Sequence, residues 1–276
     1  MHNLPPAASY GRLRTVSRRD ALRYATALAG LGGASIGCLM PTAAAAAPPQ
    51  LIDFAAHQIP AQQIRAAGYK GVVNYVSLSR PGASFGAKPI TRPYAESLTA
   101  AGLVIVSNYQ YGKPGSSAPS DFTRGYAGGM ADARTAWQLH TAAGGGQSAP
   151  IFFTIDEDIN RDTWTRLALQ WLRGINAVLG VQRTGIYGGI KVCEWAAADG
   201  VIGSSSTAGR RWAWQTRAWS GNQVHPAAVL YQRVVSTASN PGPLVGGFAV
   251  DVNDVLAPDC GQWNLHGGSR PSGGAL

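Results

Sequence analysis

Several of the few carboxylates in this sequence stand where predicted β-strands end. The chain has 14 Asp and Glu among 276 residues. Asp53 lies near the end of the first predicted strand, Asp156, Glu157 and Asp158 end the fourth, and Asp251 lies near the end of the last. Crowded like charges raise the pKa of at least one member, so a proton donor can stand beside an ionised acceptor. Glycoside hydrolysis requires such a pair of carboxyl groups.

Aromatic and amide side chains occur at or near the ends of the same predicted strands. Aromatic faces pack against sugar rings, and amides hydrogen-bond to hydroxyl groups. A single strand aromatic is more commonly part of a core, so the hypothesis of a carbohydrate cleft rests on their joint occurrence with the acids. The candidate substrate-binding residues are Tyr75, Tyr109, Tyr187, Trp214, Gln215 and Gln232.

The elements that must position these residues alternate between strand and helix along most of the chain. Regular βα alternation indicates a parallel sheet, and about eight such units fit a (β/α)8 TIM-like barrel. Few helices are expected late in the chain, which predicts an irregular barrel. The eight predicted strands are Leu51–Ala55, Gly71–Ser77, Leu103–Tyr109, Pro150–Asp158, Thr184–Tyr187, Arg211–Gln215, Val229–Val234 and Phe248–Val252.

Barrel closure would bring the acids to one mouth. The first and last strands of a barrel are neighbours, so Asp53 and Asp251 would lie side by side, with the fourth strand opposite. The period of two along a strand places Asp156 and Asp158 on one face. A doubly wound open sheet is the main alternative fold. No Gly-x-Gly-x-x-Gly turn follows the first strand, which disfavours a dinucleotide-binding version of that alternative.

The first 47 residues have the order of a twin-arginine signal peptide. A basic segment contains Arg18 and Arg19, a weakly apolar stretch follows over 24–40, and Ala43–Ala47 offers small residues for cleavage. We therefore expect export through the twin-arginine machinery to the cell envelope, the periplasmic space or the exterior, without a stable membrane span. Residues 48–276 then form a single barrel domain. Lipidation at Cys38 stays open.

Charge and cysteine content exclude some partners. The formal net charge is +9, and 5 of the 23 basic and 1 of the 14 acidic residues fall in the signal, which leaves +5. No dense Lys/Arg run remains, so nucleic acid is not an expected partner. No Cys/His cluster has zinc spacing, and we expect no metal and no cofactor. Whether Cys193 and Cys260 form a disulfide is open, because sequence alone does not give their separation.

Three motifs carry a resemblance to known families. Ile52-Asp53-Phe54, the run from Phe153 to Asp158, and the run from Phe248 to Asn253 resemble the lysozyme-type family 25 glycoside hydrolases. Over about 50–256 the chain is more similar to the glycoside hydrolase-like domain group DUF1906, the Rv2525c-like family. The resemblance implies a (β/α)8-like barrel and a peptidoglycan or other envelope-glycan ligand. Family 25 carries Asp-x-Glu at the fourth strand with the Glu as general acid, and Asp158 would take the position of that Glu.

Three functional hypotheses follow from the sequence. The first is an envelope glycan hydrolase in which Asp158 or Glu157 donates the proton, Asp156 orients the substrate or stabilises charge, and Asp53 and Asp251 complete the cluster. The second is a non-catalytic glycan-binding or regulatory protein on the same fold, which the shorter Asp158 side chain favours. The third is an envelope scaffold or partner-binding protein whose acids only stabilise the barrel mouth.

Overall fold

Eight strands close into a barrel in a computed structural model that describes residues 47–265. Neighbouring strands follow the order β1-β10-β7-β6-β5-β4-β3-β2. The predicted TIM-like barrel is therefore confirmed, and the open-sheet alternative is wrong. The barrel strands are β1 (Gln50–Asp53), β2 (Gly71–Tyr75), β3 (Val104–Tyr109), β4 (Ile151–Thr154), β5 (Thr184–Gly188), β6 (Ala213–Thr216), β7 (Leu230–Val234) and β10 (Asp251–Val255).

The last strand runs against its neighbours, which corrects the expectation of an all-parallel sheet. β10 pairs antiparallel with both β1 and β7. Each neighbouring pair from β1–β2 to β6–β7 is parallel. A short hairpin of β8 (Leu244–Val245) and β9 (Phe248–Ala249) precedes β10. A parallel strand needs a long crossover to return to the far end of the barrel, and a hairpin does not make one.

Two of the helices begin next to a side chain that caps their first turn. Thr91 Oγ1 accepts a hydrogen bond from the backbone N–H of Tyr94, and Asn160 Oδ1 accepts one from Thr163. A π-helical turn, Trp164–Ala168, joins α4 to α5. The α-helices are α1 (Ala61–Ala66), α2 (Arg92–Ala100), α3 (Gly125–Ala142), α4 (Arg161–Thr163), α5 (Leu169–Leu179) and α6 (Ile190–Ala198), with a 3-10 turn Asp121–Arg124 before α3.

Two hydrophobic cores hold the barrel together. One fills the barrel with alternate strand residues, among them Leu51, Val73 and Phe152. The other lies between the strands and the surrounding helices. Helices α3 and α5 approach closely at Gly129 and Gly174, where an added Cβ would lie 2.0 Å from a backbone oxygen of the facing helix.

The structure bears on the two cysteines and on membrane spans, whereas the predicted signal peptide lies almost wholly outside the described residues. Cys193 and Cys260 are both buried free cysteines, so no disulfide joins them. Within residues 47–265, no helix has the length and apolarity of a membrane span. The predicted signal peptide, except Ala47, lies outside the described residues, as does Cys38.

Candidate active site

The mouth of the barrel holds a pair of acids from the first and last strands. Asp53 and Asp251 are direct partners in the β1–β10 register. Asp251 begins its strand and does not end it, and the antiparallel direction of β10 is what brings it to the mouth. The two acids are neighbours because the first and last strands are adjacent, as the sequence predicted, but Asp251 stands at the start of an antiparallel strand and not at the end of a parallel one.

Amide side chains surround this pair. Gln232 Nε2 donates to Asp251 Oδ2 at 2.8 Å and to Asp53 Oδ2 at 3.2 Å. Asn253 Nδ2 also donates to Asp53 Oδ2, at 2.7 Å, and Asn253 accepts from Trp214 Nε1 at 2.7 Å. Tyr187 donates its hydroxyl to Gln232 Oε1 at 2.7 Å. These bonds fix the orientation of both carboxyl groups, because each amide is itself held by a buried aromatic side chain.

Burial and proximity keep a proton in this pair. Burial raises the pKa of Asp53 to about 6, although hydrogen bonds from Asn253 and Gln232 lower it. Burial and the Asp53 charge raise the pKa of Asp251 to about 8. A hydrogen bond between the two carboxyl groups lowers the pKa of Asp53 and raises that of Asp251. The pair therefore retains a proton near neutral pH, and the larger upward shift of the Asp251 pKa favours that residue as the proton's site.

Of the acids after the fourth strand, only Asp156 lines the cavity. β4 ends at Thr154, so the alternation expected to place Asp156 and Asp158 on one strand face stops before either residue. Asp156 accepts from Gln110 Nε2 at 3.2 Å and lies 3.6 Å from Lys113 Nζ. Asp158 is about half exposed, with Lys191 at 4.0 Å, outside the cavity lining.

Glu157 also points away from the cavity. Its Oε1 accepts a hydrogen bond from Ser120 Oγ, in the loop that precedes α3. The inward side chains at and just beyond the end of β4 are therefore those of Thr154 and Asp156, two residues before the pair Asp156 and Asp158 that strand alternation predicted. Among the described residues, this wall of the mouth carries one carboxylate.

Four of the six predicted substrate-binding residues line the cavity. These are Tyr75, Tyr187, Trp214 and Gln232, in a space of about 330 Å³. Tyr109 lies on the outer face of β3 and donates to buried Asp132 at 2.8 Å. Gln215 also lies outside the lining, where it hydrogen-bonds to the backbone of Gln223 and His225. Period-two alternation explains both outcomes, since Asn108 and Trp214 take the inward positions beside them.

Three cations at the mouth were not predicted from the sequence. Arg80 and Lys88 come from the loop after β2, and Lys113 from the loop after β3. Lys88 Nζ lies 3.9 Å from the centroid of the Tyr75 ring and donates to the backbone oxygen of Gln110 at 2.8 Å. The loops that follow barrel strands build the mouth, so the position of these basic residues after β2 and β3 was the available signal.

A buried acid anchors the loop that carries Gln110 and Lys113. Asp121 accepts from the backbone N–H groups of Tyr111 and Gly112, at 2.8 and 3.0 Å. Arg124 bridges Asp121 to Asp132 behind the barrel. Burial raises the pKa of Asp121 to about 6. The loop is thereby fixed where Gln110 and Lys113 reach Asp156.

The arrangement places the acid pair of Asp53 and Asp251 and a third carboxyl group, that of Asp156, on facing walls of one polar cavity. Within residues 47–265, no group of three or more His, Cys, Asp or Glu side chains is placed to hold a metal ion. An acid pair with aromatic neighbours can protonate a leaving oxygen and stabilise a cationic transition state at a sugar ring.

The amino-acid sequence matches a known protein family and a relative from which that family takes its name. The family described as "Rv2525c-like, glycoside hydrolase-like domain" matches residues 62–255. Rv2525c of Mycobacterium tuberculosis, which is named as a candidate peptidoglycan hydrolase, is 41% identical over 255 residues, covering 90% of this chain and 99% of that protein.

The structure also aligns with solved structures of other proteins. The crystal structure of the Tat-secreted protein Rv2525c with L-tartrate aligns with a TM-score of 0.70 at 41% identity, over 78% of this chain and 98% of that one. An uncharacterised Bacillus stearothermophilus protein aligns with a TM-score of 0.50 at 17% identity, over 75% and 95% of the two chains, and shares the fold.

Proposed function

Because this chain belongs to the Rv2525c-like family of glycoside hydrolase-like domains, we propose that it hydrolyses a cell-envelope glycan, with peptidoglycan as the substrate class. The observation that carries the proposal is the adjacent, buried pair of Asp53 and Asp251 in a cavity that Asp156 also lines; burial raises the pKa of both members of the pair. The name of the Mycobacterium tuberculosis relative supports the choice of substrate.

In this proposal Asp251 is the general acid. Its raised pKa keeps the proton available near neutral pH, where an ordinary aspartate has lost it. Asp53 holds the proton-bearing group in place and accepts the hydrogen bond from it. As Asp251 gives its proton to the glycosidic oxygen, the bond from that oxygen to the anomeric carbon breaks. Water then adds to the anomeric carbon, and the proton that it loses passes to a carboxylate of the cavity.

Asp156 faces the developing positive charge from the other side of the cavity. Held by its contacts with Lys113 and Gln110, this carboxyl group can stabilise the oxocarbenium ion or activate water. Tyr75 and Trp214 supply aromatic surfaces beside the sugar. Asp158 and Glu157 have no part in the reaction, because their side chains lie outside the lining.

Release of soluble sugar from purified cell-wall material tests these roles. Asp251→Asn and Asp156→Asn should each lower the rate about 10²- to 10⁴-fold, the usual contribution of a positioned acid or base. Asp158→Asn is the matched control and should leave the rate unchanged. Full activity in Asp156→Asn, or loss in Asp158→Asn alone, would overturn the assignment.

A second function is favoured by the single carboxylate on the β4 wall. Thr154 stands where a second inward acid would be, and its hydroxyl donates to Asn108 at 2.8 Å. A protein that binds envelope glycan without cleaving it would keep the cavity and need no second acid. Binding of wall fragments without release of sugar, in the wild-type protein, would select this function.

We also propose that the chain is exported through the twin-arginine machinery and acts in the envelope. The order of elements in residues 1–47 supports this, and so does the description of Rv2525c as Tat-secreted. Arg18→Lys with Arg19→Lys should leave the protein inside the cell, which fractionation measures.

A further inference from the structure

The cavity at the barrel mouth has two unlike ends on either side of the acid pair. One end, here called the basic lobe, is formed by Arg80, Lys88 and Lys113. The other, the aromatic lobe of about 290 Å³, includes His57 and Phe248, whose rings stack at 4.2 Å. Among the residues that the structure describes, no Lys or Arg lines the aromatic lobe. A substrate that spans the pair therefore meets positive charge on one side only.

The basic lobe holds more positive charge than its neighbours neutralise. Among residues 47–265, Lys113 has Asp156 at 3.6 Å, whereas neither Arg80 nor Lys88 makes an ion pair with a carboxylate. The ring of Phe85 faces both, with the Arg80 guanidinium carbon at 4.8 Å and Lys88 Nζ at 5.1 Å from its centroid. Two cations held against one ring repel each other, and a bound anion would relieve that repulsion.

Lys88 is placed to contact such an anion. It is partly buried, and its ammonium group lies over Tyr75 while it donates to the Gln110 backbone oxygen at 2.8 Å. A lysine ammonium has three donors, so two remain for a ligand. Burial, together with the charge of Arg80, lowers the pKa of Lys88 to about 7. These constraints fix the donor at the cavity wall, where a bound anion would supply the counter-charge.

We propose that the basic lobe selects a glycan that carries an anionic substituent, a carboxylate, on the sugar next to the cleavage point. Lys88 and Arg80 bind the carboxylate, and Lys113 adds longer-range attraction. The neutral neighbouring sugar then lies in the aromatic lobe. The inference rests on the proposed function only in taking a glycan as the occupant, and it fixes the direction in which that glycan crosses Asp53 and Asp251.

Binding of two disaccharides that differ in the carboxylate tests the inference. The probes are N-acetylglucosaminyl-N-acetylmuramic acid, with its free lactyl carboxylate, and N,N′-diacetylchitobiose, which lacks that group. Calorimetry should give the carboxylated disaccharide about tenfold or greater tighter binding, the usual range for a charge-assisted hydrogen bond. Lys88→Met should abolish the difference, and Lys88→Arg should keep it.

Controls separate this inference from folding defects and from phosphate binding. Lys191→Met removes an exposed lysine outside the cavity and should keep the preference. If Lys88→Met does not fold, Lys113→Met should reduce the preference instead, because Lys113 is exposed at the rim. Displacement of the carboxylated disaccharide by inorganic phosphate at equal concentration would assign the lobe to phosphate and overturn the choice of carboxylate.

The remaining outcomes each decide between the two proposals. Equal binding of both disaccharides, with release of sugar from cell wall, overturns this inference and keeps the proposed hydrolysis. Preferential binding without release keeps the inference and overturns the hydrolysis. Failure of both disaccharides to bind overturns the inference.

Discussion

Replacing Asp251 by Asn should change how the stability of the fold depends on pH. In the wild-type protein Asp251 holds a proton up to about pH 8, whereas the ordinary pKa of the side chain is 3.8. A group whose pKa is raised on folding stabilises the fold at low pH, and that stability is lost as pH rises through the folded-state value. The asparagine of the variant would donate to Asp53 as the protonated acid does, and it would not titrate.

The size of the effect follows from one proton. Between pH 6 and 8 the folded wild-type chain keeps the proton on Asp251 and the unfolded chain has lost it. Each pH unit then lowers the free energy of unfolding by about 1.4 kcal/mol, so the interval costs up to about 3 kcal/mol. The stability of the variant relative to the wild type should therefore rise by up to about 3 kcal/mol from pH 6 to pH 8.

Urea unfolding at both pH values measures this difference. Asp121 and Lys88 also titrate in the interval, but they are present in both proteins, and their contributions cancel in the comparison. Asp53 titrates together with residue 251, so its shift is part of the measured effect. Asp158→Asn is the matched control, because that carboxyl is exposed. A stability difference between variant and wild type that is the same at pH 6 and pH 8 would refute the assignment of the proton to Asp251.

Two further predictions test the packing behind the barrel. Gly129→Ala should destabilise the fold by about 1–3 kcal/mol in thermal unfolding, because the added Cβ would lie 2.0 Å from the Trp171 backbone oxygen. The control Arg134→Ala, at an exposed position of α3, should change the free energy of unfolding by no more than about 0.5 kcal/mol. Equal effects of the two substitutions would contradict the close helix contact. Tyr109→Phe should cost about 1–3 kcal/mol, because it removes the hydrogen bond to Asp132; weakened disaccharide binding without loss of stability would instead place Tyr109 in the cleft.

The sequence by itself determined the type of fold. The alternation of predicted strands and helices indicated eight strands and a barrel. These features depend on nearby residues, so a single chain can display them. Asp53, Asp156 and Asp251 were also identifiable, because acids are few and these follow or adjoin apolar runs.

Only the tertiary structure decided which way each candidate points. The end of β4 at Thr154 separates Asp156 from Asp158, and no local signal fixes a strand end to within two residues. The sequence placed Tyr109 and Gln215 at the mouth for the same reason, because an error of one residue along a strand moves a side chain to the opposite face of the sheet. Lys88 and Arg80 were not predicted to line the mouth, because their position in a loop after a strand is shared by residues that lie outside the mouth.

The acid pair is the clearest case of a feature that closure creates. Asp53 and Asp251 stand near opposite ends of the domain sequence, and they become neighbours because β10 returns antiparallel beside β1. The raised pKa of Asp251 arises from burial next to Asp53, a property of the closed barrel that neither residue has in the unfolded chain. The sequence therefore supplied the carboxyl groups, and the packing of the first and last strands supplied their shared proton, because desolvation and proximity exist only after folding.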